Sequence, residues 1–279
     1  DRHNGLEQLD VSVLKLLYLV RYIDDFKANI DNIATLMVDD IRTDKIILRR
    51  EIAESLVRLE AQNYVARNGD TYLFLTDEEQ EIAIEIRNTT VDSATIVQSI
   101  GQTIFSDIYP YKKYKYHKYD FAYDQYVDDT LIGNATGGVR LRFVTVASDY
   151  YNAPEAKLIM DSHSNREVIV LLSNEVQYFE ELEIAAKIRK YIKLKNVAQL
   201  PERIRDIIRK RQEQARMLEE SAKAQIEKAI AGGTFYIFGE KVEIKQGDAR
   251  SKLDEAMKQL IESVYFKLNL IDTFSEDDT

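Results

Sequence analysis

Asn68-Gly69 stands between two short apolar runs, Tyr64 to Arg67 and Thr71 to Leu75. That arrangement predicts a β-hairpin, because Asn and Gly accept the positive φ angles that a tight two-residue hairpin loop demands. Three helical patterns precede it. From Leu6 to Ile23 the residues Val11, Leu14, Leu16, Leu17, Leu19, Val20 and Ile23 are apolar on nearly all sides and predict a buried helix. Ile30, Ile33, Ala34, Met37 and Ile41 then repeat at spacings of three and four behind a capping Asn29. Thr43 or Asp44 caps a third helix whose stripe of Leu48, Ile52, Leu56 and Leu59 runs to Gln62. Three helices followed by a β-ribbon predict a winged-helix domain over 1–90, the helix-turn-helix variant whose third helix can lie in a major groove.

The charges argue against the usual use of that shape. The third helix offers Arg49, Arg50 and Arg58 to solvent, but also Glu51, Glu54 and Glu60. The wing adds Arg67 and is followed by Asp77, Glu78, Glu79 and Glu81. Residues 1–90 hold 18 acidic against 11 basic side chains, most of the excess behind the net charge of −10. A duplex reader needs a positive face to dock on phosphates before any base contact can specify. Packing against a neighbouring domain is therefore the favoured use, with DNA reading through Arg49, Arg50, Arg58 and Arg67 as the alternative.

Only three prolines and ten glycines punctuate 279 residues, which predicts a helix-rich α+β chain of long elements and excludes a many-stranded sandwich. Without cysteine there is no disulfide frame, thiolate nucleophile or cysteine-ligated zinc. His3, His117 and His163 are too scattered for a metal motif. No apolar run approaches membrane-spanning length and no signal peptide is present, so a cytoplasmic location is expected. The chain starts at Asp1, which leads us to expect a piece of a longer protein.

Seven of the seventeen tyrosines fall between Tyr109 and Tyr126, interleaved with Lys112, Lys113, Lys115 and Lys118. Aromatic faces alternating with ammonium groups suit single-stranded nucleic acid, with bases stacking while cations follow the backbone. The competing reading is a strand with tyrosines covering one face and lysines the other. Asp120, Asp124, Asp128 and Asp129 follow at once and repel phosphate, without the spacing of a calcium loop. Gly133-Asn134-Ala135-Thr136-Gly137-Gly138 lacks the lysine and helix of a phosphate loop and shapes a turn into the strand Val139 to Val146.

Glu167 to Leu172 is expected to pair with that strand, and Ser173 or Asn174 to open a helix with one face of Ile184, Ile188, Tyr191 and Ile192. From Pro201 to Ala231 a long amphipathic helix carries Ile204, Ile208, Ala215, Leu218, Ala222, Ile226 and Ala229 near a seven-residue repeat. Thr234 to Phe238 and Lys241 to Lys245 form a hairpin around Gly239-Glu240. Its Glu243-Ile244-Lys245 matches half of a nuclease site, but the partner aspartate on a preceding strand is missing. A final helix bears Leu253, Met257, Leu260, Val264, Leu268 and Ile271, ahead of an acidic SEDDT tail. The expected organisation is a winged helix over 1–90, a mixed α/β segment over 91–195, and 196–279 packed on the middle segment. No catalytic, cofactor or metal residue emerges.

Three blocks, YLVRYIDDFKANIDNIATLMVDDI (Tyr18 to Ile41), NGDTYLFLTDEEQEI (Asn68 to Ile82) and TFYIFGEKVEI (Thr234 to Ile244), resemble in this order the large P-loop ATPase of bacteriophage-exclusion (BREX) systems, the BrxC or PglY type. The resemblance implies an ATPase module ahead of a winged helix, working beside a DNA methyltransferase and other defence proteins to restrict phage. It implies ATP for the parent protein. This sequence shows neither Walker motif, so no nucleotide-binding residue carries over. The expectation is a noncatalytic middle region that serves assembly or relays conformational change. A nucleic-acid-binding module or a transcription regulator is the alternative.

Overall fold

The computed structural model describes residues 5–268 apart from 24, 41 and 246, and shows a helix-rich α+β chain. Ile41, Ile271, His3 and the SEDDT tail, named above, lie outside the described residues. The chain divides into two compact units, 1–89 with 198–207, and 90–197 with 208–279.

The first unit contains α1 (Gln8–Val20), α2 (Ile30–Leu36), α3 (Lys45–Ala61), the strands β1 (Val65–Asn68) and β2 (Thr71–Phe74), and α4 (Asp77–Asn88). Each start has its local chemistry. The Asn29 side chain accepts the Asn32 amide at 2.8 Å, and Asp44, not Thr43, accepts those of Ile46 and Ile47. Thr76 and Glu79 form a reciprocal capping box at α4, whose first turn holds Asp77, Glu78 and Glu79 where the helix dipole favours negative charge. Val13, Leu17, Ile33, Ile52, Leu56 and Leu59 form the fully buried centre. A bridge between Asn29 and Thr71 ties the ribbon to the start of α2.

Two expectations need correction here. The hairpin loop is Gly69-Asp70, since Asn68 pairs with Thr71 and only Gly69 has positive φ, at 61°. A glycine at the first central position supplies the mirror-image turn by itself, leaving Asn68 free to extend the strand. Helix α1 is buried along one stripe and not all round: Leu19 is 69% exposed and Tyr22, beyond its end, 77%. Helix α3 and strand β2 cover a single face of it.

The second unit holds α5 (Ser93–Gln102), which runs into a π-helical turn (Thr103–Ile108), then β3 (Lys113–Tyr116), β4 (Tyr119–Val127), β5 (Thr130–Leu131), β6 (Val139–Val144), α6 (Glu155–Ser164), β7 (Glu167–Leu171) and α7 (Gln177–Leu194). From α8 (Glu202–Ala231) it takes the part beyond Ile207, followed by β8 (Thr234–Ile237), β9 (Glu240–Val242) and α9 (Ala249–Val264). The sheet runs β3-β4-β6-β7-β8-β9 with β5 beside β4. The β4–β6 and β6–β7 pairs are parallel and the others antiparallel.

The register sorts the strand residues onto two faces. One carries Tyr123, Val127, Leu141, Phe143, Val168, Val170 and Phe235 and packs with residues of α5, α7, α8 and α9, among them Ile100, Tyr178, Ile226, Leu253 and Leu260. The other carries Val144, Ile169 and Tyr236, covered by Leu158 of α6. Helix α7 begins at Gln177, later than Ser173 or Asn174, because the Ser173 amide is held by the Ala229 carbonyl at 3.1 Å. The C-terminal hairpin turns at Phe238-Gly239, both at positive φ, one residue earlier than expected. β9 ends at Val242, so Glu243 to Lys245 lie outside any strand. Among the described residues no helix is long and apolar enough to cross a membrane.

Candidate nucleic-acid interface

Every arginine singled out in the first unit has an internal partner. Arg49 pairs with Asp31 at 2.8 Å and Arg50 lies 4.0 Å from Glu54. Arg58 grips Asp10 through two nitrogens, at 2.8 and 3.2 Å, and Glu7 at 3.0 Å. Arg67 donates to the Gly69 carbonyl at 2.9 Å and sits over the Tyr72 ring. Asp10 is fully buried. Burial raises its carboxyl pKa, but the hydrogen bonds from Arg58, Ser55 and the Glu7 amide, with the charge of Arg58, together outweigh that and hold it below the usual carboxylate value. Helix α3 also presents apolar groups to solvent: Ile46 is 80% exposed and Val57 65%. With Arg50 and Glu54 they share one helical face.

In the second unit the tyrosine and lysine segment is a hairpin of β3 and β4 that turns at His117-Lys118. Lys113 and Lys115 are exposed on one face, Tyr114 and Tyr116 half-buried on the other, and Lys112 is exposed just before β3. Several of the tyrosines are committed to the core. Tyr109, fully buried, donates to Asp254 at 2.8 Å, Tyr116 donates to Glu262 at 2.9 Å, and Tyr123 donates to the Tyr111 carbonyl. Burial, helped by the nearby carboxylates of Asp254, Glu255 and Glu262, pushes the Tyr114 hydroxyl up to about 12. Lys118 lies over the Tyr119 ring at 5.6 Å.

The aspartates that follow organise loops. Buried Asp124 accepts from the Thr136 and Gly137 amides and the Thr136 hydroxyl. Asp128 accepts from the Thr145 amide and hydroxyl, at 2.8 and 3.0 Å. The partners lie 12 and 17 residues along, beyond any local sequence signal. The Gly133–Gly138 loop therefore spends on Asp124 the amides that a phosphate cradle would turn outward, and it enters a strand instead of a helix. This loop does not fit ATP.

Sequence reasoning also missed a cationic and aromatic ladder on the α6 face of the sheet. Arg140 and Arg142 flank the Tyr126 ring at 5.5 and 5.1 Å, Arg142 is 6.0 Å from the Tyr150 ring, and Lys157 is 4.9 Å from the same ring. Arg142 is bound to Glu167 at 3.2 Å and Asp129 at 3.0 Å. The alternation Arg140-Leu141-Arg142 and its pairing with the strand from Glu167 were legible, but the β4 partner that carries Tyr126 was not. Elsewhere Ser99, Thr103, Asp107, Arg216, Glu219 and Lys223 help line an open cleft of about 600 Å³. Its Arg216 is tied to Glu213 and Glu220, and its Glu219 to Arg189. Among the described residues no group of three or more His, Cys, Asp or Glu side chains converges as a cation site.

Comparison with known families places the second unit. A family model described as the fourth domain of the BREX ATP-binding protein BrxC, with a six-stranded β-sheet, matches residues 89–260. The six-strand path from β3 to β9 lies inside that interval. No solved structure matches the chain.

Proposed function

Because the chain belongs to the BrxC family of BREX phage-defence proteins, we propose that it is a noncatalytic middle region of the parent ATPase, serving assembly or conformational coupling. In this reading residues 1–90 form a winged helix used for protein docking, 91–195 a mixed α/β segment, and 196–279 a region packed on it. ATP binding and hydrolysis belong to another part of the parent, and the partners are other domains of that ATPase and other BREX proteins in the cytoplasm. The observation that carries the reading is the state of α3. Its arginines are closed on Asp31, Glu54, Asp10 and Glu7, while Ile46 and Val57 stand out to solvent. A surface whose cations are already paired and which presents apolar groups to solvent fits a protein partner better than a phosphate backbone.

The test is binding of the purified chain to the remainder of the parent ATPase, with ATP and phosphodiester turnover measured on the chain alone. Ile46→Glu with Val57→Glu is expected to weaken association at least tenfold without unfolding the chain, and turnover is expected to stay at background. Undiminished association of the double variant, or turnover in a pure sample, defeats the proposal.

A further inference from the structure

We propose that the β3 side of the α6 face of the sheet docks a single-stranded nucleic acid. This stands independently of the role given to the winged helix. Helix α6 covers that face around Val144, Ile169 and Tyr236, and nearer the β3 edge Thr136 and Gly137 close over Asp124. Toward the β3 edge the register puts Lys113 and Lys115 of β3, Ala122 and Tyr126 of β4 and Arg140 of β6 on the same face. Lys113 and Lys115 are exposed and Arg140 half-exposed. Among the described residues none of the three has a carboxylate at ion-pair distance, in contrast to the arginines of α3.

The acids on the same surface are already engaged. Asp124 is buried against Thr136 and Gly137, and Glu167 is buried between Arg142 and Asn165. Asp129 is taken by Arg142. Asp120, opposite Lys115, is exposed and offsets part of one cation. Toward the β3 edge the solvent-facing charges are therefore Lys113, Lys115 and Arg140 against Asp120.

Geometry selects the ligand. Lys113 and Lys115 are two residues apart, about 7 Å, and Arg140 lies two strands over, so the three cations span about 16 Å across the sheet. A sheet face of that kind accepts an extended strand, whereas a major groove must be entered by a projecting helix or ribbon. Arg140 is braced by the Tyr126 ring on one side. That leaves the other side of a planar guanidinium for a base to stack on, an interaction available to nucleic acid and denied to an acidic peptide.

The experiment is fluorescence anisotropy of a labelled oligothymidylate of about 20 nucleotides with the whole chain, between about 50 and 200 mM salt. With three cations engaged, the log–log salt slope is expected near −2, from about −0.7 per phosphate neutralised. Lys113→Glu with Lys115→Glu is expected to weaken binding at least tenfold. Arg140→Gln should lose several-fold, and Arg140→Lys, which keeps the charge but not the plane, should lose part of that. Arg49→Ala with Arg50→Ala should bind as the parent does. Circular dichroism checks that each variant is folded, and Lys113→Gln with Lys115→Gln stands in should the charge reversal unfold the chain. The proposal fails if no binding is seen at the lowest salt, or if folded sheet-face variants bind like the parent. It also fails if the corresponding duplex binds as well as the single strand, or if polyglutamate competes as well as unlabelled oligonucleotide.

Discussion

Asp10 is buried and Asp128 half-buried, both have hydrogen-bonding partners, and their titrations are displaced in opposite directions. Burial pushes the Asp128 carboxyl up, and neighbouring Asp129 adds to this, while Thr145 and Arg142 pull it back only in part. The folded state therefore holds the proton more tightly than the unfolded chain does. The resulting cost is present above the folded pKa and is relieved as pH falls toward the ordinary value of 3.8. Asp128 also sits at φ 51°, a conformation Asn tolerates well. Asp128→Asn keeps an acceptor for the Thr145 amide and removes the half-buried charge. Its unfolding free energy at pH 7 is expected within about 1 kcal/mol of the parent or above it, whereas Asp128→Ala should lose about 1–3 kcal/mol. Urea unfolding across pH 4 to 7 measures both. Asp10 works the other way. Its depressed pKa contributes stability above 3.8 that is lost as pH falls through the lower folded value. Asp10→Asn, which leaves Arg58 without its buried anion, should lower stability at pH 7 by about 1.5–3 kcal/mol and flatten the acid limb of the same profile.

Helix α8 shows what a weak seam in the sequence becomes when it packs. Ala215, Ala222 and Ala229, seven residues apart, are all fully buried, and Ile226 and Ile230 beside them belong to the main core. Small residues at a regular interval let neighbouring elements approach closely, and such a contact leaves no room for more atoms. Ala222→Leu is expected to cost about 1–3 kcal/mol by overpacking, and more if the helix is displaced. Ala224→Leu, on the exposed side of the same turn, should be neutral. Thermal melts of the two variants separate packing from helix propensity, since leucine is a good helix former at both sites. Helix α8 was legible because its charges and apolar residues alternate at helical spacing over many turns. Helix α5 was not. Its Ser93-Ala94-Thr95-Ile96-Val97-Gln98-Ser99-Ile100-Gly101 is rich in β-branched residues, whose local preference is for a strand. Burial of Ile96 and Ile100 decides the matter instead. The same limit applies to the candidate site: Lys113 and Lys115 could be named from their alternation with tyrosine, but Arg140 joins them only through the parallel β4–β6 register.

At the scale of the whole chain, the two units draw their cores from different stretches of sequence, which makes their folding separable by truncation. The buried cluster of the first unit runs from Val13 to Tyr72 and uses nothing from the C-terminal half. The second unit depends on its end, because Phe235 and Ile237 of β8 and Leu253, Ala256, Met257, Leu260 and Ile261 of α9 are all buried in its main core. Removing 232–279 takes away two strands and a helix at once and exposes the sheet face that α9 covers, a loss far larger than the few kcal/mol by which a domain is stable. A chain of residues 1–231 is therefore expected to keep the first unit and lose the second. Tyrosines report the difference: Tyr109, Tyr123 and Tyr178 are buried in the second unit and become solvated, whereas Tyr72 in the first stays covered. Near-ultraviolet circular dichroism should fall sharply. Limited proteolysis should leave a resistant fragment that contains the core from Val13 to Tyr72, and a cooperative melt should persist. A truncated chain that retains the full tyrosine signal, or one that loses all cooperative melting, contradicts the division of the chain into two independently cored units.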